Sequence, residues 1–462
     1  MKRHALPASK QASGRRVPER GFVHHSLRTY LVQMGVTGLG VVLAVLTMRF
    51  LGPEGKGMLS LLVLIPVLTV VFGRSGIGPS LVYHSSRVPK GRLITKGLRL
   101  TLIIGSVATL AGAAIVFWQR NAFFRGIPPA LLAVMCALAF VYFFYDLVPH
   151  LFLTLGLIDL RNLVILVSPA ANIAFFLLFV VVLKKRLPGA VAAWALAVII
   201  PVAAGLAWFS RRRVPEDRSP DPRLGGRILS YGLKSHPGTI MELLNYRADF
   251  LIISLFSGPA AVGLYACAVN MAEVVWKLPE AVTVVLLPKA SSLPPKAARE
   301  LTAKVSRVAL GAVAVLFLVL AAFRRPLIVA LFGRAFLPSA TPFLILVPGF
   351  IAFSLWRVLA YGLLAQGFPQ TYSLSAGLSF LIMLAGDLIL IPRIGIVGAA
   401  WASTAAYILA TLGMVIVYMR KTGATLAGLA LPRRADWSTL GQALGLGTRG
   451  EGSARKGRDE KA

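Results

Sequence analysis

Seven long apolar runs without a single Asp, Glu, Lys or Arg dominate this 462-residue chain. A helix that crosses a bilayer needs about 20 mostly apolar residues, and each of these runs meets that length. Only 14% of all residues are charged, whereas soluble proteins carry about 25%. The sequence therefore predicts an all-α, polytopic membrane protein. The seven runs are residues 100–119, 126–145, 162–183, 187–210, 335–356, 358–386 and 394–419.

Five further segments complete the expected set of spans. Residues 30–48 come first, and 57–82 follow with one interruption at Arg74. Residues 308–323 are short but lie between Arg307 and Arg324, whose long side chains can extend to the membrane interfaces. The segments at about 229–256 and 260–288 carry several charges each. The sequence predicts about 12 transmembrane helices.

The basic residues predict the orientation of these helices. Lys and Arg number 49 against 17 Asp and Glu, a net charge of +32. With both termini in the cytoplasm, 34 of the 49 basic residues fall on the cytoplasmic side, 11 on the outer side and 4 inside spans. This asymmetry follows the positive-inside rule. We therefore interpret the basic surplus as membrane topology and expect no nucleic-acid partner.

An internal duplication organises the chain. Gly52-Pro53 after the first span recurs as Gly258-Pro259 after the seventh, 206 positions later. The tetrapeptide Ala-Ala-Trp-Ala at 192–195 recurs at 399–402. Because six spans separate the copies, the sequence predicts two six-helix bundles related by a pseudo-two-fold axis along the membrane normal. The expected units are a basic cytoplasmic tail (1–28), an N-terminal bundle (29–209), a cytoplasmic linker (210–227), a C-terminal bundle (228–420) and a basic, disordered cytoplasmic tail (421–462).

Duplicated bundles of this kind are typical of secondary transporters. No phosphate-binding loop of the G-x-x-x-x-G-K-[ST] type occurs, and the six histidines form no metal-ligand pattern. The two cysteines, Cys136 and Cys267, both fall in apolar runs. The outer loops are short, whereas enzymes of polyprenyl-linked glycosyl transfer, polymerisation or ligation usually need a sizeable loop that holds the acceptor and the catalytic groups. We therefore expect a transporter and not an enzyme, without catalytic residues, bound metal or cofactor.

A series of short motifs lies at residues 49–57, 76–78, 247–249, 262–268, 286–290, 331–333, 367–369 and 391–400. In this order the motifs resemble those of the polysaccharide and O-antigen flippases of the multidrug/oligosaccharidyl-lipid/polysaccharide exporter superfamily. The resemblance implies a protein of the bacterial or archaeal plasma membrane that moves a polyprenyl-diphosphate-linked oligosaccharide from the inner to the outer leaflet. It further implies a role in cell-surface polysaccharide or lipopolysaccharide synthesis, and polysaccharide polymerase and chain-length proteins as partners.

Four cations lie inside predicted spans: Arg74, Arg247, Lys277 and Arg357. Charged residues within membrane helices usually mark a substrate or ion pathway, so these four are candidates to bind a diphosphate and its glycan. A structural interpretation stays open for two of them. Lys277 can neutralise Glu273 and Glu280 on its own helix face, and Arg247 has acids nearby in the sequence. Arg74 has no acid within seven positions, so its partner is expected on another helix or on the ligand.

The acids within the spans are candidates to couple transport to a gradient of H⁺ or Na⁺. They are Glu273, Glu280, Asp146 and Asp387, of which Glu273 lies closest to the middle of the membrane.

Three alternative functions remain open at this point. A drug or organic-cation antiporter of the same superfamily would carry a net negative cavity, whereas a lipid-diphosphate carrier would carry a net positive one. A peptidoglycan-precursor flippase typically has two extra carboxy-terminal helices, and no further span follows Met419 here. A non-transporting scaffold of an envelope synthesis complex would have a closed apolar core.

Overall fold

The computed structural model describes residues 19–212 and 221–430, and within these ranges the regular structure is helical throughout. A π-helical turn, Leu177–Val182, extends α6, and a 3₁₀ turn, Arg334–Ser339, precedes α10. The helices are α1 (Glu19–Gly73), α2 (Ile77–His84), α3 (Lys90–Trp118), α4 (Arg120–Phe123), α5 (Pro129–Leu155), α6 (Ile158–Phe176), α7 (Arg186–Arg211), α8 (Leu224–Ser291), α9 (Pro295–Leu331), α10 (Ala340–Ala365), α11 (Pro369–Ile394), α12 (Ile396–Thr422) and α13 (Leu426–Ala430).

Ten of these helices are long and apolar enough to cross a membrane. Their outer faces present large hydrophobic side chains, among them Leu110, Trp118 and Leu374, which are 72%, 80% and 75% exposed. An exposed apolar surface of this extent is unfavourable in water but suits the hydrocarbon core of a membrane. The structure therefore confirms the predicted all-α, polytopic membrane fold.

Two of the ten helices bend sharply at the duplicated glycines. Gly52 in α1 has φ 68° and ψ −178°, and Gly258 in α8 has φ 78° and ψ 178°. This region of backbone space is open almost only to glycine. Each bend divides its helix into two arms, which we name α1a (19–51), α1b (53–73), α8a (224–257) and α8b (259–291). With both helices divided, the described residues supply twelve membrane-crossing segments, in agreement with the sequence.

The two bends pack directly against each other. A Cβ atom at Gly57 would collide with the carbonyl oxygen of Pro259 and lie 2.9 Å from the backbone nitrogen of Gly263. In the reciprocal contact, a Cβ at Gly263 would collide with the carbonyl oxygen of Pro53 and lie 3.0 Å from the nitrogen of Gly57. We call this four-residue contact the Gly–Pro seam. Its reciprocity is the two-fold relation that the duplication predicts, and only glycine allows the helices to approach so closely.

The seam defines one side of the membrane, which we call the hinge face. On the opposite face, α8a approaches the turn between α1b and α2, where a Cβ at Gly76 would lie 2.5 Å from the carbonyl oxygen of Gly232. The arms are thus in contact near both faces, and the space between these contacts contains the candidate site.

The described helices extend into segments predicted as tails. Helix α1 begins at Glu19, inside the predicted N-terminal tail. Helix α13 lies in the predicted C-terminal tail, and its Leu429 is buried while its carbonyl accepts a hydrogen bond from Ser306 Oγ at 3.0 Å. The rest of both tails, and linker residues 213–220, lie outside the described residues.

Candidate functional site

A cavity of about 300 Å³, with polar as well as apolar side chains in its wall, lies between the bent arms, next to the Gly–Pro seam. We call it the central chamber. Helices from both duplicated halves form its wall, because α1, α6 and α7 contribute from one half and α8 from the other. Of the described residues that line it, none is an Asp or a Glu. Its polar side chains are Thr47, Lys56, Ser60, Asn172, Arg247 and Asn270.

A second cavity, of about 430 Å³, opens between α1a, α8b and α9. We call it the lateral cleft. Gly40, Ala44 and Asn270 line both cavities, so the cleft adjoins the chamber. Most of the cleft is apolar, with side chains such as Val41 and Leu327. Its charged residues, Glu273 and Lys277, both belong to α8b.

An ion pair marks the junction between the two cavities. Arg247 of α8a lines the chamber, Glu273 of α8b lines the cleft, and their side chains meet at 2.9 Å from Nη1 to Oε1. Arg247 also lies 5.3 Å from the ring centre of Phe250. The partner of Arg247 is not one of the acids nearest to it in the sequence. The bend at Gly258 folds α8b back along α8a and brings Glu273 to it instead. This contact therefore holds the two arms of α8 together.

A second charged group continues along α8b. Lys277 Nζ lies 2.9 Å from Glu280 Oε2, the pairing that their spacing of three residues predicts. Arg357 of α10 lies 3.9 Å from Glu280 Oε1. The Arg357 guanidinium also stands over Trp276 and Tyr361, at 5.3 and 5.5 Å from the ring centres. The structure thus gathers five predicted site residues into one charged region: Arg247, Glu273, Lys277, Glu280 and Arg357.

Arg74 and Asp146 form a separate pair. Arg74 Nη1 lies 2.9 Å from Asp146 Oδ1, and the two side chains are 22% and 24% exposed. The partner belongs to α5, another helix, as the absence of a nearby acid in the sequence predicts. Asp146 lines a third cavity of about 250 Å³ between α5 and α6, which Tyr142 and Arg161 also line. Neither residue of the pair lines the chamber or the lateral cleft.

The eighth predicted residue, Asp387, is deeply buried in α11. It is 0% exposed, and neither carboxylate oxygen has a hydrogen-bond partner among the described residues. Asp249 of α8a is 4% exposed and interacts electrostatically with Asp387. Tyr265 contacts Asp249 and shares a hydrogen bond of 3.3 Å with Ser403. We call Asp249, Asp387, Tyr265 and Ser403 the buried acid cluster.

Sequence reasoning missed two of the residues that this geometry brings forward. Lys56 follows the first bend and was treated only as part of a motif, although it lies four residues beyond a glycine that turns the chain back into the membrane. Asp249 was treated only as a neighbour of Arg247, although its distance of two positions places the two side chains on different sides of a helix. In the described part of the chain, no three His, Cys, Asp or Glu residues are grouped as metal ligands.

A family model described as polysaccharide biosynthesis protein matches residues 23–294 of this sequence. The chain belongs to this family. The match begins with α1, includes both bends and ends just beyond α8, so it contains every residue of the chamber wall. No curated protein matches the sequence at a significant level.

Several solved membrane transporters share the fold of this chain. A structure titled lipid II flippase MurJ, in an inward closed conformation, has a TM-score of 0.69 at 14% identity, covering 86% of this chain and 87% of that one. An inward-facing multidrug resistance MATE family transporter has a TM-score of 0.64 at 15% identity, covering 86% and 98%. An outward-facing MATE family transporter reaches 0.51 at 16% identity, covering 90% and 99%. The fold of this family member is therefore that of a polytopic membrane transporter.

The Arg74–Asp146 pair generates a stability prediction. Arg74→Ala leaves the Asp146 carboxylate without its partner, and we expect it to lower the free energy of unfolding by about 1–3 kcal/mol, less than a fully buried pair would lose. Asp146→Asn should have a similar effect, and the double variant Arg74→Met/Asp146→Met should recover most of the loss. Thermal unfolding in detergent and the protein level in the membrane measure this. Unchanged unfolding in Arg74→Ala would contradict a structural role of the pair.

Proposed function

We propose that this protein is a flippase that moves a polyprenyl-diphosphate-linked oligosaccharide from the cytoplasmic to the outer leaflet of the plasma membrane for cell-surface polysaccharide synthesis. The observation that supports the proposal most is that the central chamber, with two cations in its wall, adjoins the largely apolar lateral cleft. A lipid-linked glycan has the same two parts, a polar head and a long hydrocarbon chain. The head fits the chamber, while the chain extends through the cleft between α1a, α8b and α9 into the bilayer.

The charge of the two cavities supports an anionic head group. Lys56, Arg247, Glu273 and Lys277 line them, which leaves a net charge of +2. Moving an unpaired diphosphate through hydrocarbon costs many kcal/mol, and a cationic, polar chamber removes most of that cost. The same charge disfavours an organic cation. A polar chamber also disfavours a scaffold with a closed apolar core.

The distribution of Lys and Arg supports the direction of transport. By the positive-inside rule, the hinge face is the outer face, and both termini are cytoplasmic. The Gly–Pro seam then separates the chamber from the outside. A substrate made in the cytoplasmic leaflet enters through the lateral cleft, and release requires the seam to open while the contact of Gly76 with Gly232 near the cytoplasmic face stays closed. This is alternating access between two related bundles, 29–209 and 228–420.

We assign the coupling ion to the buried acid cluster. Glu273 is neutralised by Arg247, Glu280 by Lys277 and Asp146 by Arg74. Asp387 is the predicted acid without such a partner among the described residues, and Asp249 lies near it. Two carboxylates in a buried position require a proton or a cation. We assign H⁺ or Na⁺ binding to these carboxylate oxygens, together with the hydroxyl of Tyr265, which contacts Asp249.

The proposal is tested by transport in proteoliposomes. A fluorescent polyprenyl-diphosphate disaccharide is reconstituted with the purified protein, and chemical quenching from one side reports its movement between leaflets. We expect faster exchange than in protein-free liposomes, and no transport of ethidium. Transport of ethidium alone would identify a drug antiporter, and transport restricted to the disaccharide-pentapeptide lipid would identify a peptidoglycan-precursor flippase. Absence of all three activities would favour a scaffold. Polysaccharide polymerase and chain-length proteins remain the expected partners.

The coupling assignment generates a separate prediction. Asp387→Asn and Asp249→Asn are each expected to abolish the dependence of flipping on a Na⁺ or pH gradient, because the amide neither binds a proton in this range nor supplies the charge. Glu300→Gln, which removes an exposed acid from α9, is the matched control and should retain the dependence. The measurement is the flipping rate with each gradient imposed and then collapsed. Gradient dependence that survives in both Asp variants would overturn the assignment.

A further inference from the structure

Lys56 differs from the other cations inside the membrane. Arg74, Arg247, Lys277 and Arg357 each lie within 4.0 Å of a carboxylate. Lys56 has no ion pair anywhere in the described ranges, and its polar contact is Thr47 Oγ1 at 3.4 Å from Nζ. The nearest acid in the sequence, Glu54, is exposed. Glu273, an acid near the chamber, is held by Arg247.

The surroundings of Lys56 are suited to a diphosphate. Its ammonium group shares the chamber with the Arg247 guanidinium, the side-chain amides of Asn172 and Asn270, and the hydroxyl of Ser60. These groups are hydrogen-bond donors, and two of them carry positive charge. A diphosphate offers several negatively charged acceptor oxygens, and charge-assisted hydrogen bonds of this kind are among the stronger ones in proteins. No acid among the described lining residues opposes this charge.

Lys56 is also directly attached to the Gly–Pro seam. It precedes Gly57, which packs against the carbonyl of Pro259 with no room for a side chain. At the equivalent place in the second half, Val262 precedes Gly263 and is fully buried. The two sides of the seam therefore have the same backbone arrangement but different side chains. The α1b side carries a cation that lines the chamber, whereas the α8b side carries a buried valine.

We propose that Lys56 binds the diphosphate group of the lipid-linked substrate and that this contact loosens the Gly–Pro seam on the side of α1b. The inference rests on the proposed function and adds to it the residue that links binding to opening. Binding shifts a conformational equilibrium only when the ligand has a higher affinity for one of the two states. Lys56 supplies that difference, because it is bonded to Gly57, whose tight contact with the Pro259 carbonyl is disturbed by a backbone displacement.

The test uses the full-length protein with two lipid probes, a C55 polyprenyl diphosphate and the corresponding polyprenol. Binding is measured in nanodiscs, and hydrogen exchange of peptides that contain Gly57 and Gly263 reports the state of the seam. For the wild type we expect tighter binding of the diphosphate than of the polyprenol. We also expect faster exchange in both seam segments only with the diphosphate.

Three variants make the test specific. Lys56→Met keeps an unbranched side chain but removes the ammonium group. It should weaken diphosphate binding about tenfold or more and abolish the change in hydrogen exchange. Lys56→Arg keeps the charge and should retain most of both effects. Lys184→Gln removes an exposed lysine from the loop between α6 and α7 and should behave as the wild type. Thermal unfolding of Lys56→Met should match the wild type, because the substitution leaves no carboxylate without a partner.

The outcomes separate this inference from the proposed function. Equal binding of the diphosphate by the wild type and Lys56→Met would overturn the role of Lys56 and leave the lipid-diphosphate substrate standing. Weaker binding by Lys56→Met, with no change of exchange at the wild-type seam, would overturn the link to opening. A wild type that does not distinguish polyprenyl diphosphate from polyprenol would contradict the proposed substrate class itself.

Discussion

The reciprocal contact of two bent helices at Gly57 and Gly263 determines how the rest of this protein is arranged. Each helix must turn back into the membrane, and Gly52 and Gly258 provide the backbone conformation for that turn. Each must then pass the other at backbone distance, which a side chain at either crossing glycine would prevent. Because the arms diverge from this crossing, a chamber forms between the two halves of the molecule. The polar residues of the proposed pathway lie on those diverging arms.

Charge pairing is the second constraint. It distinguishes charged side chains that form ion pairs within the protein from those that have no such partner. An ionised side chain in the membrane interior is costly unless it is paired or hydrated. In the structure Arg74 pairs with Asp146 and Arg247 pairs with Glu273. These ion pairs also hold helical segments to one another. Two groups stand apart from this pattern among the described residues: the cation Lys56 and the buried acid Asp387. We assign substrate binding to the first and ion coupling to the second, because these groups have charge that the protein itself does not neutralise.

The sequence predicts the fold well because its signals are local. A charge-free run of about twenty residues indicates a span wherever it occurs, and the repeated Gly-Pro pair locates both bends. The site is harder to predict because its contacts join distant positions. Arg74 signals only that its acid is elsewhere, and the 72 residues to Asp146 are bridged by packing that no local pattern encodes. For Arg247 the sequence is misleading in a different way, because acids close to it in the sequence suggest local partners. The bend at Gly258 brings a more distant acid, Glu273, to it instead.

The central claim is that the hydrocarbon chain of the substrate occupies the lateral cleft while its charged head lies in the chamber. Photo-crosslinking tests this most directly, with a polyprenyl-diphosphate glycan that carries a photoreactive group on its chain and mass spectrometry to locate the adducts. The account predicts adducts concentrated on residues that line the cleft, such as Val41, Val274 and Leu327, and their loss when unlabelled lipid-linked glycan competes. Adducts spread evenly over the lipid-facing surface, including Leu110 and Leu374, and insensitive to competition would contradict it.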